Sequence, residues 1–77
     1  MKNNSFFLNK GAVKALKERY KNGMRVELIS MDDPYSKLVP GDQGTIDFVD
    51  DIGTVHVKWD KGSCLGLIPN VDEFKII

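Results

Sequence analysis

The sequence has few of the residue types on which disulfide, metal and membrane chemistry depend. Its 77 residues include one histidine and one cysteine, and one cysteine cannot form an internal disulfide. No apolar run approaches the roughly 18 residues of a membrane span, and the first eight residues lack the apolar core of a signal peptide. These features predict one small domain in the cytoplasm, without a membrane partner.

Motifs of catalysis and cofactor binding are also missing. The sequence contains no glycine-rich phosphate loop and no zinc-ligand spacing. A nucleophile needs a base within reach, and the only candidate pair is His56 with Cys64, on two predicted neighbouring strands. The two side chains are either neighbours or on opposite faces. We expect His56 to face solvent and Cys64 to be a small apolar filler, and therefore predict a protein that is not an enzyme and has no cofactor.

Aspartates are concentrated in the predicted loops, where carboxylates are possible ligands for a hard cation. The candidates are Asp32, Asp33, Asp42, Asp50 and Asp51. No segment has the ligand spacing and glycine of a calcium loop. Because turn aspartates usually accept hydrogen bonds from their own backbone, the sequence predicts no metal site.

Charge is distributed unevenly although the net charge is zero. Residues 1–25 carry seven basic side chains and one acidic one, whereas residues 26–77 carry four basic and ten acidic ones. Two interpretations follow. The basic head lies on the acidic body and offsets its charge, or it contacts an anionic partner.

The centre of the chain predicts a β-hairpin. Apolar and polar residues alternate over residues 55–59, the period of a half-buried strand. Three side chains then share the inner face: Val55, Val57 and Trp59. The turn at 60–62 ends in a glycine, which adopts positive φ without steric cost, and residues 63–68 are predicted to return as the partner strand.

An N-terminal helix is predicted over residues 9–22, after a loose segment at 1–8. Its apolar residues recur at helical spacing: Val13, Leu16 and Tyr20. Asn9 is a suitable N-cap, and Gly23 is a suitable left-handed stop. Residues 9–77 are therefore expected to form a single domain.

Three further strands, separated by turns, complete the predicted domain. The strands are 24–31, 44–49 and 73–77, with a long loop at 32–42, a tight turn at 50–53 and one 3₁₀ turn at 69–72. Ile29 breaks the alternation of its strand and predicts a bend. The expected core is Val26, Leu28, Ile46, Phe48, Val55, Val57, Trp59, Leu65 and Leu67. This order predicts a mainly β fold, a small five-stranded SH3-like barrel preceded by one α-helix.

Several short motifs resemble a known family. They are GMRVEL at 23–28, MDDPY at 31–35, PGDQGT at 40–45, DDIG at 50–53, HVKWD at 56–60 and LIP at 67–69. Together they resemble a family of short bacterial domains of unknown function, common in Firmicutes, their phages and mobile elements. The resemblance covers about residues 14–75. It implies an SH3-like barrel and no known activity or catalytic residue.

The sequence leaves three functions open. The first is a binding module for a protein or peptide partner, which contacts the 32–42 loop and the 69–72 turn. Its predicted site residues are Asp32, Asp33, Tyr35, Pro69 and Asn70, because the first and last strands of a five-stranded barrel are neighbours. A proline-rich segment with a nearby basic residue would suit this surface.

The second function is a nucleic-acid-associated domain, whose basic helix contacts phosphates through Lys14, Lys17 and Lys21. Against it, the body is acidic, and its strands are predicted to lack the exposed aromatic platform of single-strand binders. The third is a subunit of a larger assembly that docks through Phe6, Phe7 and Leu8.

Overall fold

The structure, a computed structural model, describes residues 10–31 and 36–77. Its elements in chain order are α1 (Lys10–Arg19), β1 (Arg25–Ser30), β2 (Gln43–Val49), β3 (Val55–Trp59), β4 (Gly66–Leu67) and β5 (Glu73–Ile76). The strands pair antiparallel in one sheet of order β4-β3-β2-β1-β5. The mainly β fold with one N-terminal helix is thus confirmed, and the first and last strands are neighbours as predicted.

The central hairpin begins as the sequence predicts and then departs from it. The turn after β3 closes with two backbone hydrogen bonds, from Gly62 N to Trp59 O and from Trp59 N to Ser63 O, both 2.9 Å. Gly62 has φ of 109°. The return strand is only Gly66–Leu67, much shorter than the predicted 63–68. Cys64 lies in the irregular part and is exposed, so its expected role as an apolar filler is wrong.

Helix α1 is shorter than predicted. It ends at Arg19, and the chain turns at 21–24 through a hydrogen bond from Met24 N to Lys21 O at 3.1 Å, with Gly23 at φ of 91°. The predicted apolar face is confirmed, because Val13 is buried and Leu16 and Tyr20 pack against the core. The expected cap Asn9 lies outside the described residues.

One core lies on the inner face of the sheet. Its buried members are Val26, Leu28, Leu38, Ile46, Val49, Val55, Val57, Trp59 and Leu67. Seven of the nine predicted core residues are among them. Leu65 is only half-buried against the cluster, whereas Leu38 and Val49 were not predicted. Among the described elements, the helix packs on β2.

A β-bulge in β2 overturns the predicted inward position of Phe48. Ile46 pairs with Val57, but Phe48 pairs with His56, so Asp47 is an extra residue without a partner on β3. One extra residue reverses which side chains face inward. Phe48 is therefore 50% exposed, and Val49 is buried in its place.

Hydrogen bonds from the turn after α1 hold this bulge in position. Gly23 N donates to Ile46 O at 2.8 Å, and the Asn22 side-chain amide donates to Asp47 O at 2.9 Å. The bulge is therefore fixed by a segment distant in sequence, and it follows from the way the helix is joined to the sheet.

A second bulge in β1 confirms the predicted bend. Leu28 pairs with Phe74 and Ser30 with Glu73, which leaves Ile29 as the extra residue. The Ile29 side chain is 44% exposed. Each of the two bulges thus places one large apolar side chain on the outside of the sheet.

Candidate functional site

Tyr20 lies between two clefts on the protein surface. It follows the last residue of α1, and its amide still donates to Leu16 O at 2.8 Å. The ring is tilted by 53° against Phe74 with centroids 5.3 Å apart, and the Arg19 guanidinium lies 5.4 Å from its centroid. These contacts fix the ring as a wall shared by both clefts.

The first, which we call the β1–β5 cleft, opens where β1 ends and β5 begins. Its volume is about 290 Å³, and it is lined by Tyr20, Ile29, Pro69, Asn70, Asp72, Glu73 and Phe74. The β1 bulge contributes the exposed Ile29 side chain. The lining is about equally polar and apolar, and it includes the Glu73 side chain.

The turn before β5 forms one wall of this cleft. It is a hydrogen-bonded turn at 68–72, not the predicted 3₁₀ helix, with Val71 N donating to Ile68 O at 3.0 Å. The buried Asp72 carboxylate accepts from Ile68 N at 2.9 Å. Asn70 has φ of 75°, a conformation that asparagine tolerates better than most residues. The turn is therefore held from within, and Asp72 serves as its brace.

The predicted peptide-binding residues are placed only in part. Pro69 and Asn70 line the β1–β5 cleft. Asp32, Asp33 and Tyr35 lie outside the described residues. The aromatic rings in the described part of the cleft are Tyr20 and Phe74, which sequence reasoning assigned to the helix face and to a strand and not to a site. The sequence signal was only that each is a large ring near the boundary of its element, with Tyr20 just after α1 and Phe74 second in β5.

The second, which we call the β2 cleft, lies on the other side of Tyr20. Its volume is also about 290 Å³, and its lining is Lys17, Tyr20, Lys21, Asn22, Asp47, Phe48 and Val49. Phe48 stacks on His56, with centroids 4.4 Å apart and ring planes 10° from parallel. One aromatic side chain of the strands, Phe48, is therefore exposed, which the sequence did not predict.

A hydrogen bond fixes the orientation of the His56 ring in this stack. Its Nε2 lies 2.8 Å from Asp50 Oδ2, while Asp50 Oδ1 accepts from the amides of Ile52 at 3.1 Å and Thr54 at 2.9 Å. Burial raises the pKa of Asp50, but the hydrogen bonds from His56 and from these amides outweigh it, so the pKa lies below its ordinary value. Asp50 thus connects the turn to the ring stack.

The lysines predicted to contact nucleic acid all project from the helix side of the protein. Lys17 Nζ lies 2.8 Å from the highly exposed Asp51, a contact by which the basic helix meets the acidic body. Lys14 and Lys17 line a shallow cavity of about 470 Å³ beside Asp51, and Lys21 lines the β2 cleft. Among the described residues, Lys14 and Lys21 form no salt bridge.

Loop aspartates bind the protein's own groups. Asp42 Oδ2 lies 2.6 Å from Lys61 Nζ and accepts from Val39 N at 2.9 Å, and these hydrogen bonds lower its pKa. Asp50 braces the 50–54 turn as described above. Across residues 10–31 and 36–77, no three His, Cys, Asp or Glu side chains are grouped closely enough to hold a metal ion.

Comparison with known proteins identifies a family. A family model described as Domain of unknown function (DUF4314) matches residues 9–77. No curated protein and no solved structure matches the chain. In the described part of the chain, no helix is long and apolar enough to cross a membrane.

Proposed function

The chain belongs to the Domain of unknown function (DUF4314) family, and we propose that it is a non-enzymatic binding module that recognises a protein or peptide partner at the β1–β5 cleft. The observation that carries the proposal is the exposed Ile29 side chain, held outward by the β1 bulge beside Pro69 and two aromatic rings. Exposed apolar surface in a concave site is typical of binding surfaces.

Charge supports a basic partner. The Glu73 side chain lines the cleft, and residues 26–77 carry ten acidic side chains against four basic ones. The attraction between this negative charge and a basic side chain near the docked segment would increase specificity and the association rate more than affinity. The prediction that Asp32, Asp33 and Tyr35 contact the partner stays a prediction, because these residues lie outside the described part of the chain.

The segment that suits this cleft is extended. Proline-rich segments are already extended in solution, and they lose little conformational entropy when they dock on aromatic-lined grooves. Tyr20, Phe74 and Pro69 offer the ring faces that such a segment contacts. The strand order, with β5 next to β1, also supports an SH3-like barrel as the fold.

The test is a titration with basic proline-rich peptides while backbone amide shifts are followed. We expect shifts clustered at 28–31 and 68–74. Ile29→Ala should abolish them, because it removes the exposed apolar contact, whereas Ile52→Ala, at an exposed site in the 50–53 turn, should leave them unchanged. Glu73→Gln should slow association and weaken its dependence on salt.

Shifts confined to 14–23 and 47–49, or no shifts with any peptide, would remove this proposal. The folded state of Ile29→Ala is checked by its melting curve, since a half-exposed side chain contributes little to the core. A nucleic-acid function is a second candidate, because the exposed Phe48 ring stands beside the helix lysines.

A further inference from the structure

We propose that the β2 cleft binds single-stranded nucleic acid, with the Phe48–His56 stack as the platform for a base and the lysines of the helix end as the phosphate contacts. This site lies on the opposite side of Tyr20 from the β1–β5 cleft. It is independent of the peptide proposal, because it uses the other bulge and a charge of the opposite sign.

The positions of the Phe48 and His56 rings support a platform on which a base can stack. Phe48 lies nearly parallel to His56 with the ring centroids 4.4 Å apart, so one face of its ring is already stacked, and half of the residue's surface remains open to solvent. A base can extend such a stack because every base has a flat π face. The His56 ring is held in place by the hydrogen bond to Asp50, so the platform is rigid before the ligand arrives.

Charge complementarity argues for an anionic ligand. Lys17 and Lys21 line the cleft, against Asp47 as its one carboxylate. The Lys17 ammonium group also forms a salt bridge with Asp51, whereas Lys21 forms no salt bridge among the described residues. Lys14 lies one helical turn before Lys17 on the same side, which continues the cationic surface along α1. A phosphate chain that runs from the Phe48 ring towards α1 would therefore meet successive ammonium groups.

The platform requires a single strand. In a duplex the faces of the bases are stacked on each other, and a side chain that projects from a sheet has no access to them without unstacking. In a single strand the bases are available, and an aromatic ring with a neighbouring cationic track is the usual way to bind them. A basic peptide is the competing occupant. The Asp47 carboxylate distinguishes the two ligands, because it would attract a basic peptide and repel the phosphates of a nucleic acid.

The experiment is fluorescence anisotropy of a labelled mixed-sequence DNA single strand of about ten nucleotides, a length in the range that small barrels cover. The duplex of the same sequence is the comparison. We expect the single strand to bind more tightly than the duplex, with a negative log–log salt slope of about 0.7 per phosphate contact.

Variants separate the contributions to binding. Phe48→Leu keeps an apolar side chain but removes the flat ring, and it should weaken binding about tenfold, whereas Phe48→Trp should preserve it. Lys14→Gln with Lys21→Gln should flatten the salt slope, and the matched control Lys75→Gln, on β5, should not. Asp47→Asn should strengthen binding of the single strand.

Four results would overturn the proposal. Two come from variants: binding that is unaffected by Phe48→Leu, and weaker binding on Asp47→Asn. The other two are a duplex that binds at least as well as the single strand, and the absence of any binding at low salt by the folded protein. None of these results touches the peptide proposal, which is tested with Ile29→Ala and a different probe.

Discussion

The indole N–H of Trp59 donates to the backbone carbonyl of Leu65 at 2.8 Å, across the turn that follows β3. The ring itself is buried in the core, with 3% of its surface exposed. Trp59 therefore packs in the core and also anchors the irregular segment before β4, which has few backbone hydrogen bonds of its own.

We expect Trp59→Ala to lower the free energy of unfolding by about 3–5 kcal/mol, as large-to-small changes of buried aromatic residues do. That is most of the stability of a domain of this size, which lies near the low end of about 5–15 kcal/mol. Trp59→Phe should cost less, about 1–3 kcal/mol, because it keeps most of the apolar contacts. The remaining cost comes from the Leu65 carbonyl, which loses its hydrogen-bond donor. Equilibrium denaturation measures both changes, and equal losses for the two variants would contradict this account.

Because of the bulge at Asp47, lysine substitutions at the next two residues, Phe48 and Val49, should have opposite effects on folding. Val49→Lys places an unpaired charge in the core and should prevent folding, since such a burial costs several kcal/mol. Phe48→Lys should yield a folded protein, because that side chain is half exposed and the new ammonium group reaches water. Circular dichroism and a melting curve distinguish the two variants. If Phe48→Lys unfolds and Val49→Lys folds, the bulge is not where the structure has it.

The pH dependence of stability should contain a contribution from Asp50. Its pKa is lowered in the folded protein from an ordinary value of 3.8 by hydrogen bonds that outweigh its burial. A carboxyl group with a lowered folded pKa stabilises the fold above its unfolded pKa, and this stability is lost as the pH falls through the folded pKa. Asp50→Asn should therefore be less stable than the parent at pH 7, and the difference should shrink as the pH falls below about 4.

Urea denaturation between pH 2 and pH 7 measures this difference. A difference between Asp50→Asn and the parent that stays constant over the whole range would show that the Asp50 contribution comes from the shape of the turn and not from its charge.

Much of the fold was predictable because its signals are local. The alternation at 55–59 identified β3 and its inner face, and the glycine at 62 identified the turn. The helical spacing of Val13, Leu16 and Tyr20 identified the face of α1 that packs on the sheet. These patterns succeed because side-chain direction follows from backbone period alone.

The candidate site was predictable only in part. The expected topology predicted that β1 and β5 are neighbours, and this pairing places Pro69 and Asn70 in the cleft. Tyr20 was predicted as a helix-face residue, but its place between two clefts depends on where α1 ends, which was overestimated by three residues. Phe48 was assigned to the core because the alternation was continued past Asp47, where the bulge interrupts it.

The sequence by itself determined the strands, the turns and the inner face of most of the sheet, because hydrophobic period and turn chemistry act over a few residues. The tertiary structure decided which side chains stand outside at the two bulges. A bulge depends on hydrogen bonds from distant segments, as from Gly23 to Ile46 and from Asn22 to Asp47. Adding one residue to a strand reverses the side chains beyond it, so contacts between segments 20 or more residues apart determine that Phe48 faces solvent and Val49 the core.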